Sequence, residues 1–185
     1  MREYLSDSKQ DNRGMSLVEI IIVVAIMSTM IGVVGFGINL ISGRPAEECA
    51  QKLTSALQHA RTITMGKNTT SITIFMNGEG QIVAREESVR ILDMDGNVAS
   101  DERESIVGES GVSVTFAFED GTSVDLTAGT TLYLEFDRGS GALQTTQVNG
   151  TTSTACTGMT ITRANKTRYI VITPVTGKVS ISNTP

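Results

Sequence analysis

The hydrophobic pattern changes its period twice along the chain. From Ile20 to Ile41 it reads IIIVVAIMSTMIGVVGFGINLI, about 22 residues without a charge. At ~1.5 Å per residue such a helix is long enough to cross a ~30 Å hydrocarbon layer. Polar residues ending in Arg13-Gly14 precede the run, and Ser42-Gly43-Arg44-Pro45 follows it, where Pro interrupts or kinks the helix. Gly32, Gly35 and Gly37 within the run either let neighbouring helices approach closely or mark a stretch that melts on packing. The next segment, AEECAQKLTSALQHARTITMG, places Cys49, Leu53, Ala56, Leu57, Ala60 and Ile63 at helical spacing, with Glu48, Lys52, Gln58 and Arg61 on the opposite face and Gly66 as a cap. This predicts an amphipathic continuation of the same helix, its apolar stripe a seam against a sheet.

After Gly66 the period becomes two. Thr70 to Met76 and Gln81 to Arg85 flank Asn77-Gly78-Glu79-Gly80 as a hairpin. Further strands are expected at Ser88 to Leu92, Gly111 to Phe118, Thr131 to Phe136, Met159 to Arg163, Arg168 to Thr173 and Lys178 to Ser182. Turns are expected at Glu119-Asp120-Gly121, Asp137-Arg138-Gly139, Ala164-Asn165-Lys166 and Val175-Thr176-Gly177. The fold class is therefore α+β: a long amino-terminal helix, its first half transmembrane and its second half packed on an antiparallel β-sheet head. The expected boundaries are 15–43 for the first half, 44–66 for the second and 67–185 for the head.

Composition adds limits to that picture. A chain of 185 residues holds one ordinary domain plus an appended segment. The net charge of −5, with much of the acid between Glu86 and Glu119, excludes a whole-protein pull on nucleic acid or anionic lipid. Cys49 and Cys156 are too far apart in sequence for a redox or zinc CxxC pattern. In an exported domain they form either one disulfide closing a loop of about 107 residues, worth ~3–5 kcal/mol in the chain-entropy model, or two unpaired core thiols. His59, the single histidine, neighbours Lys52 and Arg61 on its helix, so neither a metal site nor a general base is expected there.

Glu19 fits none of the ordinary explanations for an apolar amino-terminal run. A carboxylate in an otherwise apolar helix costs ~2.5–3.5 kcal/mol at the bilayer centre and less near its border, so it calls for a partner. The run is also followed by no small-residue secretory cleavage site. The stretch Arg13-Gly14-Met15-Ser16-Leu17-Val18-Glu19 and the apolar run behind it resemble the processing site of type IV prepilins and type II secretion pseudopilins.

That resemblance implies a leader of residues 1–14, cleavage after Gly14 by a membrane prepilin peptidase, methylation of the new amino terminus at Met15, and Glu19 as the fifth mature residue. It implies as partners the peptidase, other pilins of the same filament and an assembly platform in the cytoplasmic membrane. The precursor would be single-pass with its head outside, and the mature chain part of a cell-surface or periplasmic filament. Pairing Glu19 with the Met15 ammonium of a neighbouring subunit would relieve two costly charges and fix axial register. The chain departs from the family pattern in having Met15 where Phe is usual, and in a leader whose Arg2, Lys9 and Arg13 are balanced by Glu3, Asp7 and Asp11.

Towards the carboxy terminus, Leu132-Tyr133-Leu134-Glu135-Phe136-Asp137-Arg138-Gly139, Ile161-Thr162-Arg163, Arg168-Tyr169-Ile170-Val171-Ile172 and Val175-Thr176-Gly177-Lys178-Val179 resemble the GspH/FimT group of minor pilins. Members of that group take up DNA through a Gly-Arg-x-Arg pattern, of which Gly177-Lys178-Val179-Ser180 keeps one basic place. Arg163, Lys166, Arg168 and Lys178 are the residues that would form a phosphate-binding patch. Asp93, Asp95, Asn97, Asp101 and Glu104 are spaced like a calcium loop, but Val98 stands where the tight turn calls for Gly. No hydrolase triad order, HExxH, P-loop or dinucleotide fingerprint is present, so the chain is read as the substrate of a peptidase and not as an enzyme, and no cofactor is expected. The leading expectation is a structural minor pilin or pseudopilin of a type IV pilus, secretion or competence filament. The alternative is a pilin-anchored surface module that binds DNA or another extracellular ligand.

Overall fold

The computed structural model describes residues 17–41, 44–66, 68–91 and 98–184. The chain divides into two units, Met1–Ile41 and Ser42–Pro185. The first contains helix α1 (Leu17–Ile41), with Glu19 in its first turn. Its hydroxyls are satisfied internally: Ser28 donates to the Val24 carbonyl and Thr29 to that of Ile26, each at 2.8 Å. Among the described residues no helix is long and apolar enough to cross a membrane, so the spanning role expected of Ile20 to Ile41 rests on the sequence.

In the second unit α2 (Arg44–Gly66) begins with Pro45 in its first turn, where the missing N–H costs no helical bond, and with Glu47 facing the positive end of the dipole. Its buried stripe is Ala46, Cys49, Ala50, Leu53, Thr54, Ala56, Leu57, Ala60 and Thr64. Thr64 takes the inward place expected of Ile63, because its hydroxyl can donate to the Ala60 carbonyl at 2.9 Å and so enters the core without an unpaired group. Thr54 is the exception, its buried oxygen having no hydrogen-bond partner among the described residues.

Among the described residues eleven strands follow: β1 (Thr69–Met76), β2 (Ile82–Ile91), β3 (Val98–Gly108), β4 (Ser113–Phe118), β5 (Ser123–Asp125), β6 (Thr131–Phe136), β7 (Leu143–Val148), β8 (Thr151–Thr152), β9 (Cys156–Arg163), β10 (Lys166–Thr173) and β11 (Lys178–Ser182). They form not one sheet but two, six strands in the order β3-β2-β1-β6-β7-β8 and five in the order β11-β10-β9-β4-β5, with every pairing antiparallel. α2 packs against β1, β2, β3 and β6 of the first sheet and β9, β10 and β11 of the second. One core joins all three layers: Leu53 and Leu57 from α2, Ile72, Ile74, Leu132 and Leu134 from the first sheet, and Phe116, Ile161, Ile170 and Ile172 from the second. Alternate residues point inward along β4 and β6, as a strand with one solvated face requires.

Two departures from the expected strands have physical causes. β2 runs unbroken across Glu86-Glu87, which the polar sequence marked as a gap, because Glu86 is paired with His59 of α2. β3, unexpected in an acidic stretch, is held to β2 by Arg85, which bonds Glu102 at 2.8 Å and Glu104 at 2.5 Å. The hairpin at Asn77–Gly80 is capped by the Asn77 side chain, which accepts from the Glu79 and Gln81 amides at 3.0 and 2.9 Å.

Candidate functional site

Glu19 lies in the first turn of α1, where the exposed N–H groups of a helix favour a carboxylate. Around it the helix is apolar on every side and covered on none. Leu17, Val18, Ile21, Ile22, Val24, Met27 and Met30 are all more than half exposed. A helix with no polar stripe has no preferred face to turn to water. Because Ser28 and Thr29 are already satisfied within the helix, Glu19 is the polar side chain among the described part of α1 that still lacks a partner. Gly14 and Met15, the expected cleavage and methylation residues, lie outside the described residues.

Residues 9–35 match the prokaryotic N-terminal methylation motif. The match includes Gly14, Met15 and Glu19 together with the apolar run as far as Gly35. It supports the pilin-type reading of the amino terminus and leaves the GspH/FimT subtype to other arguments. No curated protein and no solved structure matches the chain.

In the head, the structure separates residues that the sequence allowed to act together. Cys49 and Cys156 are two buried free thiols and form no disulfide. Arg168, paired in register with Ile161, bonds Glu47 in the first turn of α2, close to Cys49. Cys156 begins the same eight-residue strand β9, about 16 Å further along it. Its thiol points instead at the Gly158 carbonyl, 3.5 Å away. Burial pushes both thiols up to about 12, where the reactive thiolate is scarce.

Of the four basic residues considered for DNA, Arg163, Lys166 and Arg168 stay together at the β9–β10 turn and Lys178 lies apart. Arg163 is held by the Ser110 carbonyl at 3.0 Å and by Glu109 at 3.5 Å, and Arg168 by Glu47. Lys166 starts β10 opposite Arg163, whereas Lys178 sits opposite Thr173 at the other end of that strand, about 23 Å away. Gly177, which the sequence placed in a DNA-binding pattern, has a steric task. At φ 62° it lies in the left-handed region, and a Cβ there would run into the Gly141 carbonyl. The β10–β11 turn thereby docks on the loop after β6, where the Leu143 amide also donates to the Pro174 carbonyl at 2.8 Å. That loop is organised by Asp137, whose carboxylate accepts from the Ser140 hydroxyl and amide, both at 2.7 Å, and is held below the usual carboxylate range by them.

Of the calcium-loop candidates, Asp93, Asp95 and Asn97 lie outside the described residues. Glu104 is a strand residue bonded to Arg85 and so does not belong to a metal loop. Among the described residues no cluster of His, Cys, Asp and Glu could hold a metal ion.

His59 is the residue whose surroundings the sequence misjudged. Its Nδ1 lies 2.7 Å from Oε2 of the almost buried Glu86. Lys52, Ser55 and Ala56 of α2, Arg103, Ser105 and Ile106 of β3 join this pair around an open cleft of about 360 Å³. Glu86 is 27 residues away in sequence and on a different kind of element. No local pattern could have announced the pair.

Proposed function

We propose that this chain is the precursor of a pilin-like structural subunit. Prepilin peptidase cuts it after Gly14, the amine of Met15 is methylated, and α1 then packs among the helices of other subunits in a filament, with the head outside the cytoplasmic membrane. The methylation-motif match over residues 9–35 carries this reading. The exposed apolar surface of α1 from Leu17 to Met30 and a Glu19 without a partner among the described residues support it, since both are costly in an isolated chain and both are relieved by helix packing.

The finer assignment to a GspH/FimT-type minor pilin or pseudopilin rests on the strand and turn sequences near the carboxy terminus. A DNA-binding head is the weaker reading, because two of its four candidate cations are engaged within the head and Lys178 is remote from the rest. Nothing in the sequence calls for an enzymatic role. Mass spectrometry of the chain co-expressed with a prepilin peptidase tests the proposal. The expected mature product begins at methylated Met15, and Gly14→Ala leaves the precursor uncut. A mature terminus at any other residue, or normal processing of the Gly14→Ala chain, would overturn it.

A further inference from the structure

The two sheets have four edge strands of very unequal length. β8 has two residues, β5 three and β11 five, whereas β3 has 11. Edges of two and three residues offer little to an incoming chain, so β5 and β8 are blunted by length alone, and β3 is the longest of the four. β3 is defended by charge over Asp101 to Glu104, but Ser105, Ile106 and Val107 beyond them are uncharged, and Ile106 is 52% exposed. Among the described residues β3 pairs with β2 on one side and with no strand on the other.

Open clefts lie on both faces of this uncharged stretch. On the face towards α2, the 360 Å³ cleft is edged by Lys52, His59 and Arg103. Lys52 and Arg103 make no ion pair with the described residues, and the carboxylate present, Glu86, is occupied by His59. On the opposite face, a second cleft of about 330 Å³ is lined by Phe75, Val83 and Ile106, with Asn77, Glu104 and Ser105 at its margin. There Arg85 ties down both Glu102 and Glu104 and lies over the Phe75 ring at 5.1 Å. One face is therefore cationic and the other apolar with its acids neutralised.

We propose that Arg103 to Val107 of β3 is a strand-addition site for an extended segment of another protein that carries acidic and apolar residues at alternate positions. Side chains of an added strand point alternately to the two faces of a sheet. Acidic residues then enter the cleft beside Lys52 and Arg103, apolar ones cover Ile106 and Val83, and the backbone pairs with the free edge. A second copy of β3 is a poor occupant, since the inner face of its own Arg103 to Val107 segment brings another Arg103 and no carboxylate to the cleft beside Lys52 and Arg103. The inference rests on the head alone and stands whether or not the amino terminus is processed as proposed above.

The test uses the full chain in detergent micelles, a labelled peptide Thr-Val-Glu-Val-Glu-Val-Thr, and the same peptide with Lys in place of Glu. The Glu peptide should bind and slow hydrogen exchange of the amides of residues 103 to 107, while the Lys peptide binds about tenfold more weakly, as the loss of two partly exposed ion pairs requires. The double variant Lys52→Glu, Arg103→Glu should reverse that preference. Equal binding of the two peptides, or absence of protection at residues 103 to 107, overturns the proposal. So does protection of these amides that grows with protein concentration in the absence of peptide, which would assign the edge to a second copy.

Discussion

Cys49 and Cys156 have the same chemistry and the same fate. Each is a fully buried thiol, and withdrawal from water, which disfavours the thiolate, pushes each up to about 12. Iodoacetamide at pH 8 should therefore add no mass to the folded protein over a time that fully modifies an exposed thiol, and two adducts should appear once denaturant is added without reductant. A chain that gains adducts only after reduction would have formed the disulfide and would refute the arrangement of free thiols. The cysteine positions were plain in the sequence, but pairing was not. It depends on where β9 begins relative to α2, and that is a tertiary distance. His59 makes the same point, since helical spacing could say nothing of Glu86 on β2.

At the scale of elements, α2 and most of the longer strands were legible because each carries its own period, 3.6 in the helix and two in strands such as β4 and β6. β3 and β7 were not, because their polar residues are held by neighbouring strands and lack an alternating apolar face. Turns are another matter, since their glycines can be strained by backbone conformation or by contact. Gly177 is subject to both, with a positive φ and the Gly141 carbonyl in the place a Cβ would take, whereas Gly121 at φ 82° has open space around it. Gly121→Ala should cost about 1–2 kcal/mol for the left-handed conformation alone. Gly177→Ala should cost about 2–4 kcal/mol, because the docked turn must also move. Thermal unfolding of the two variants checks this, and equal losses would mean that the β10–β11 turn is not seated on Gly141.

For the whole molecule, the two units differ in what completes them. Ser42–Pro185 buries its own apolar residues between α2 and two sheets. α1 buries none of the apolar side chains from Leu17 to Met30, so its free energy depends on surroundings that the single chain does not supply. Under the proposed assembly, Glu19→Ala should leave cleavage after Gly14 and the unfolding temperature of the head unchanged, yet lower recovery of the subunit in sheared filaments by tenfold or more. That magnitude corresponds to losing one charge partner near a low-dielectric layer. Recovery equal to the parent would remove Glu19 from assembly.

The sequence by itself determined the features written in consecutive residues: the Gly14-to-Glu19 motif, the apolar length that follows it, the amphipathic stripe of α2 and the alternation of the longer strands. These depend on covalent order and on local period, and both are present before folding. Only the tertiary structure decided the division into two sheets, the separation of Cys49 from Cys156, the distance of Lys178 from Arg163, Lys166 and Arg168, and the pairing of His59 with Glu86 beside an open edge. Each of these is a distance between segments remote along the chain, set by which strands pair and on which face α2 is buried. Burial and long-range pairing belong to the folded molecule as a whole, so no stretch of sequence read alone contains them.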